Sequence, residues 1–140
     1  MIRVVIDTNV VVSAILVDEG HSAAILDLAV NREILMFTSP ALLAEYEEVL
    51  RRPRLKLSPS RVRGVMAVIR RTSRQVKPVV TLKLSVHESD NRIYECAATG
   101  GADYIVTGNA KHFKQEYRST RIVTPREFIE LARAELGLPR

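Results

Sequence analysis

Short runs of apolar, β-branched residues alternate with longer stretches of helical periodicity along this chain. Residues 4–6, Val-Val-Ile, form an unbroken apolar run that reads as a buried strand, ended by Asp7-Thr8-Asn9. Positions 10–16 predict a first helix, and Asp18-Glu19-Gly20 breaks it. Positions 22–30 predict a second helix with Ile25, Leu28 and Ala29 on one face, and 34–37 a second strand. Ser39-Pro40 and Ser58-Pro59 each pair an N-cap serine with proline in the first helical turn. They predict helices running to about Arg51, before Pro53, and to about Arg74, the latter with Val65, Val68 and Ile69 inward. Residues 77–80, Lys-Pro-Val-Val, read as a short strand leading into a loop. A helix over 89–99 ends at Gly100-Gly101, and a buried strand over 104–106 closes with Thr107-Gly108-Asn109. Residues 121–123 read as the last strand, and Thr124-Pro125-Arg126-Glu127 is a capping box opening a helix to about Leu136.

This alternation implies βαβ units. The expected fold is α/β: one domain spanning 1–140, a three-layer α/β/α sandwich with a central, mainly parallel sheet of Rossmann-like kind. In such sheets, sites form where strands end at their carboxyl side. The residues that follow the first and fourth runs, Asp7, Thr8 and Asn9 and then Thr107, Gly108 and Asn109, therefore carry the first interest.

Asp7 by itself is also a good N-cap for the helix that follows. Glu45 is more telling. The apolar positions of the 40–51 helix are Leu42, Leu43, Tyr46, Val49 and Leu50, and Glu45 falls on or beside that stripe, whereas Glu47 and Glu48 are expected to face solvent. A carboxylate on a half-buried face is costly without a cation. Asp90, in the first turn of its helix, suits the helix dipole but leans toward the buried side, three positions before Ile93. Glu95 is expected to face outward, and Glu88 and Asp103 to be structural. Three carboxylates brought together repel and raise one another's pKa. A hard divalent cation such as Mg²⁺ or Mn²⁺, which takes oxygen ligands and keeps several waters, relieves that repulsion.

Charge sharpens the picture. The chain carries a net charge of +5, and no acid lies between Glu48 and Glu88. Arg51, Arg52, Arg54, Arg61, Arg63, Arg70, Arg71 and Arg74 fall in that interval, with Lys56, Lys77 and Lys83. Without interspersed glutamates for i,i+4 pairing, the interval suggests an anionic partner, with a phosphate backbone the usual one. Composition excludes other classes. Apolar residues are 46% and charged residues 26%, and no apolar run approaches the roughly 18 residues of a membrane span. The cytoplasm is the expected location. The single cysteine, Cys96, forbids an intrachain disulfide and reads as a small buried hydrophobe. No His–Cys cluster suggests zinc, no Gly-rich phosphate loop is present, and His21, His87 and His112 are scattered and read as solvated or structural.

Four segments together resemble the motifs of PIN-domain nucleases. They are Val4-Val5-Ile6-Asp7-Thr8-Asn9; Ser39-Pro40-Ala41-Leu42-Leu43-Ala44-Glu45-Tyr46 with Glu48-Val49-Leu50-Arg51-Arg52-Pro53; Ser89-Asp90-Asn91-Arg92-Ile93-Tyr94-Glu95-Cys96-Ala97; and Gly101-Ala102-Asp103-Tyr104-Ile105-Val106-Thr107-Gly108-Asn109 with Lys111-His112-Phe113. They follow in order over nearly the whole chain. The group resembled is that of VapC-like toxins of toxin–antitoxin systems. The resemblance implies catalytic, metal-holding acids at Asp7, Glu45 and Asp90, one or two Mg²⁺ or Mn²⁺ ions, and endoribonuclease activity leaving a 5′-phosphate and a 3′-hydroxyl. It also implies an inhibitory antitoxin and frequent homodimers. Thr8 and Thr107 match positions whose hydroxyls order the site. Asn109 stands where many such proteins carry Asp; an amide ligates metal more weakly but still holds a water. The stretch before Asp90, often acidic in such proteins, is here His87-Glu88-Ser89.

Two other readings make different demands. A haloacid-dehalogenase-like phosphatase needs Asp-x-Asp-x-Thr/Val after the first strand, and here Asn9 replaces the second Asp. A catalytically degenerate PIN-like module, binding RNA or a protein partner without cleavage, is the reading that Asn109 favours.

Overall fold

The computed structural model describes residues 1–113 and 116–138. Five strands form one parallel sheet in the order β3-β2-β1-β4-β5: β1 (Arg3–Ile6), β2 (Leu35–Thr38), β3 (Arg74–Gln75), β4 (Tyr104–Val106) and β5 (Arg121–Val123). The helices are α1 (Thr8–Leu16), α2 (His21–Val30), α3 (Pro40–Leu50), α4 (Pro59–Thr72), α5 (Glu88–Gly100) and α6 (Pro125–Leu136). The architecture is the expected three-layer one.

β1 lies at the centre, paired with β2 through Val4 and Met36 and with β4 through Val5 and Ile105. Burial on both faces explains the unbroken apolar run: Val4, Val5, Ile6, Ile105 and Val106 are all buried. The caps are those the dipeptides announce. Ser39, Ser58 and Thr124 accept from the backbone of Leu42, Arg61 and Glu127, and Glu127 closes the capping box.

α5 comes down so closely on β2 that a Cβ on Gly100 would lie 2.7 Å from the buried Phe37 ring. Gly101, at φ +68°, then closes the helix in the left-handed conformation. Gly100→Ala should gain helix propensity but lose more to overpacking, destabilising the fold by about 1–2 kcal/mol. A lower urea midpoint at unchanged slope checks this.

Two expected elements differ. The third strand is not at 77–80. It is the pair Arg74–Gln75, α4 having ended at Thr72, and it sits on β2 through Phe37 and Thr38. Val76 adds one further bond to the Thr38 carbonyl, after which Pro78 has no N–H to donate, and Val79 and Val80 are exposed. The buried stripe of α4 is Val62, Met66 and Ile69. Val65 and Val68 are only half-buried, along a groove beside α2. Among the described residues no single helix is long and apolar enough to cross a membrane.

Candidate active site

The carboxyl end of β1 runs straight into Asp7. Its N–H continues the ladder to the Val106 carbonyl at 2.9 Å, which sets Asp7 beside the end of β4. Its side chain is buried and held on both oxygens. Oδ1 accepts from the Thr8 N–H at 2.7 Å, and Oδ2 accepts from the Thr107 hydroxyl at 2.7 Å. Thr107 is oriented in turn, its Oγ1 accepting from the Asn109 N–H at 3.0 Å. Asp7 is thus the N-cap of α1, as its position in the sequence also allows. Burial lifts its pKa from 3.8 to about 6 despite the two hydrogen bonds, and the neighbouring charges of Asp90 and Glu45 add to the rise.

α3 brings Glu45. Its Oε2 accepts a short hydrogen bond from the Thr8 hydroxyl. The next residue, Tyr46, is fully buried and donates its phenol O–H to the Ile6 carbonyl, which pins α3 to the end of β1. Burial pushes the Tyr46 phenol well above its ordinary pKa, so it remains a donor.

Asp90 sits buried in the first turn of α5, with the Ser85 hydroxyl 3.4 Å from Oδ2. A buried polar face on the same helix ties down the segment before it. Asn91, fully buried, accepts from the Leu84 and Ser85 N–H groups at 2.9 and 2.8 Å and donates to the Ser85 carbonyl at 3.0 Å. Glu95 accepts from the Leu82 N–H at 2.9 Å and meets Arg92 at 2.9 Å. The expectation that Glu95 faces outward is therefore corrected: it is 7% exposed, because an otherwise unpaired strap of backbone needs its carboxylate. A sequence signal existed in the i,i+4 spacing of Asn91 and Glu95, which places both on one face. Asp103 and Glu88 are structural as expected, accepting from the Arg3 N–H and from Asn91 and pairing with Arg92.

Asp7, Glu45 and Asp90 line one cavity of about 440 Å³, with Thr8, Asn9 and Asn109 also on its wall. Asn9 accepts from the Gly108 N–H at 3.1 Å and so links the two strand-end loops; Asn109 is exposed. Among the described residues, no three of His, Cys, Asp and Glu stand close enough to form a ready metal cage. The three acids nevertheless offer only oxygens, and they include a carboxylate that burial makes costly to ionise. That chemistry fits a hard divalent cation which keeps part of its water.

The basic interval divides. Arg52 and Arg54 line the same cavity. Arg51 and Arg70 both pair with Glu47, at 3.1 and 3.2 Å, and Arg52 pairs with Glu48 at 3.3 Å. The expected lack of acidic partners is thus corrected for these three, since α3 supplies the partners from upstream of the interval. Arg61 donates to the Ile15 carbonyl at 3.0 Å, along the groove beside α2. Arg63, Arg71 and Arg74 are exposed. The histidines are corrected too. His87 and His112 are not scattered: both line the cavity, and their rings stack at 4.7 Å and 26°. Their only trace in sequence is position, three residues before Asp90 and three after Asn109.

Comparison with known proteins bears on the fold and the family. The chain is 31% identical to an uncharacterized protein of Methanocaldococcus jannaschii, over 92% of its own length and 90% of that protein's. Its fold is similar to that of a chain in the crystal structure of VapBC2 from Rickettsia felis bound to a DNA fragment from their promoter. The TM-score is 0.62 at 16% identity, covering 88% of this chain and 98% of that one. The family model of the PIN domain matches residues 3–111, a span that takes in Asp7, Glu45, Asp90 and Asn109, and the chain belongs to the PIN-domain family.

Proposed function

We propose that this protein is a divalent-metal-dependent endoribonuclease that hydrolyses RNA phosphodiester bonds as the toxin of a toxin–antitoxin pair. The observation that carries the reading is that Asp7, Glu45 and Asp90, far apart in sequence, line one cavity beside the end of β1. PIN domains are generally nucleases that use divalent metal ions, which supports the same reading.

In this account Asp7, Glu45 and Asp90 hold Mg²⁺ or Mn²⁺, one ion or two. When bound, the cation offsets phosphate charge and makes water more acidic. Thr107 and the Thr8 N–H fix the Asp7 carboxylate, and the Thr8 hydroxyl fixes Glu45. Asn9 and Asn109 offer amides at the rim to hold water. Arg52 and Arg54 take the charge of the RNA strand where it enters the cavity. The exposed guanidinium groups of Arg61, Arg63, Arg71 and Arg74, with Arg51 and Arg70, attract the strand farther out. Hydrolysis leaves a 5′-phosphate and a 3′-hydroxyl. A cognate antitoxin is the proposed inhibitor, in keeping with the fold shared with a chain of the VapBC2 complex. A homodimer in the cytoplasm is the proposed working form.

Cleavage of RNA by the wild type and by Asp7→Asn, with Mg²⁺ or Mn²⁺ supplied, tests the reading. Equal cleavage by both removes Asp7 from catalysis. The second reading, a PIN module that binds without cleaving, is favoured by Asn109 and by the open spacing of the acids. It predicts no Mn²⁺ binding that depends on Asp90.

A further inference from the structure

We propose that the stacked His87–His112 pair is a nucleobase platform, on which one base of a single-stranded RNA stacks beside the phosphate facing the carboxylates. This deepens the proposed function and rests on it.

His87 precedes α5 and His112 belongs to the 3₁₀ turn Ala110–His112, so only the fold brings them together. Their rings lie 4.7 Å apart at 26° and both are exposed, although an exposed pair buries little surface for stability. Among the described residues lining the cavity that holds Asp7, Glu45 and Asp90, they are the only aromatic side chains. The stack covers one face of each ring, and in this proposal a base stacks on the outer face of one of the two exposed side chains. A base has a π-face whatever its identity, so such a platform binds a strand without demanding one sequence.

The backbone that carries each ring is held in place in advance. The His87 backbone N–H donates to the Ser85 hydroxyl at 3.1 Å, and the backbone of Ser85 is held by buried Asn91. The His112 backbone N–H donates to the Asn109 carbonyl at 2.9 Å, and the next residue, Phe113, is buried against Tyr94 with ring centroids 5.4 Å apart. Arg52 and Arg54 line the same cavity with Val12 and Val49, so it offers cations to phosphate and apolar surface to a base. A base on the histidines and its phosphate toward the acids uses each kind of surface for what it binds best.

The test uses the full chain with Mg²⁺ and single-stranded RNA oligonucleotides carrying 2-aminopurine at successive positions. Fluorescence is read by stopped flow before turnover, beside steady-state cleavage. The expected result is quenching at one position in the wild type. His112→Ala and His87→Ala should lose it and raise KM about tenfold with kcat little changed. His112→Phe, which keeps a ring but no ring nitrogen, should restore both quenching and KM. Mn²⁺ affinity should be unchanged in all three variants. A cleaving wild type without quenching at any position overturns the platform alone. So do alanine variants with unchanged KM, or a phenylalanine variant as weak as alanine, which would assign the histidines a nitrogen contact instead. A wild type that neither binds nor cleaves the RNA overturns the nuclease reading and this proposal together.

Discussion

Asp7→Asn should reduce RNA cleavage by roughly a thousandfold while making the metal-free protein more stable. The two effects have one cause. In the folded chain the Asp7 carboxyl is buried among Thr8, Thr107 and two other acids, and its pKa is about 6 against 3.8. Holding it ionised near pH 7 therefore costs about 3 kcal/mol. The asparagine amide has the same shape. Its oxygen still accepts from the Thr8 N–H, and its NH₂ can donate to the Thr107 hydroxyl that formerly donated to Asp7. A group whose folded pKa is raised favours the fold fully below its unfolded pKa, and that contribution is lost as pH rises through the folded value. In chelator, then, the stability advantage of Asp7→Asn should be largest above pH 6 and should fade as the pH drops toward 4. Thermal unfolding at pH 5 and pH 7.5 reads it. Added Mn²⁺ should stabilise the wild type and not the variant. A variant less stable than the wild type in chelator at pH 7.5 would mean that the carboxylate is already well compensated without a cation.

Asn91→Ala should be the most destabilising substitution near the site, at about 2–4 kcal/mol. The side chain is fully buried and holds three backbone groups of the Leu84–Ser85 strap, besides Glu88. Alanine leaves those groups unpaired unless the strap opens to water. The consequence should reach the site, because Ser85 is the residue that contacts both Asp90 and His87. Hydrogen exchange should show amides 82–87 losing protection in the variant while those of β1 and β4 keep theirs. Equal loss across the whole chain would mean that Asn91 supports the core and not this segment.

The parts of the fold that were legible in the sequence are those governed by local rules. The doubly buried β1 and β4 announce themselves as apolar runs, and Ser39-Pro40, Ser58-Pro59 and the Thr124 box mark helix starts to the residue. Asp7 and Glu45 could be singled out because an acid at a strand end, or on an apolar stripe, conflicts with its surroundings. The rest depends on tertiary contact. β3 is two polar, exposed residues that become a strand only because β2 offers an edge, so hydropathy favoured the valines at 79 and 80. Glu95 has no reason to be buried until Leu82 needs an acceptor. Arg70 finds Glu47 across a helix–helix contact that a gap in acidic residues cannot reveal. The two histidines meet across 25 positions, and no periodicity joins them.

The most direct measurement is a crystal of the wild-type chain soaked in Mn²⁺, with anomalous scattering used to locate the ion. The account predicts manganese in the cavity, within coordinating reach of Asp7, Glu45 and Asp90, and its loss in Asp90→Asn. Manganese absent from that cavity at saturating concentration, or present there equally in Asp90→Asn, would contradict it.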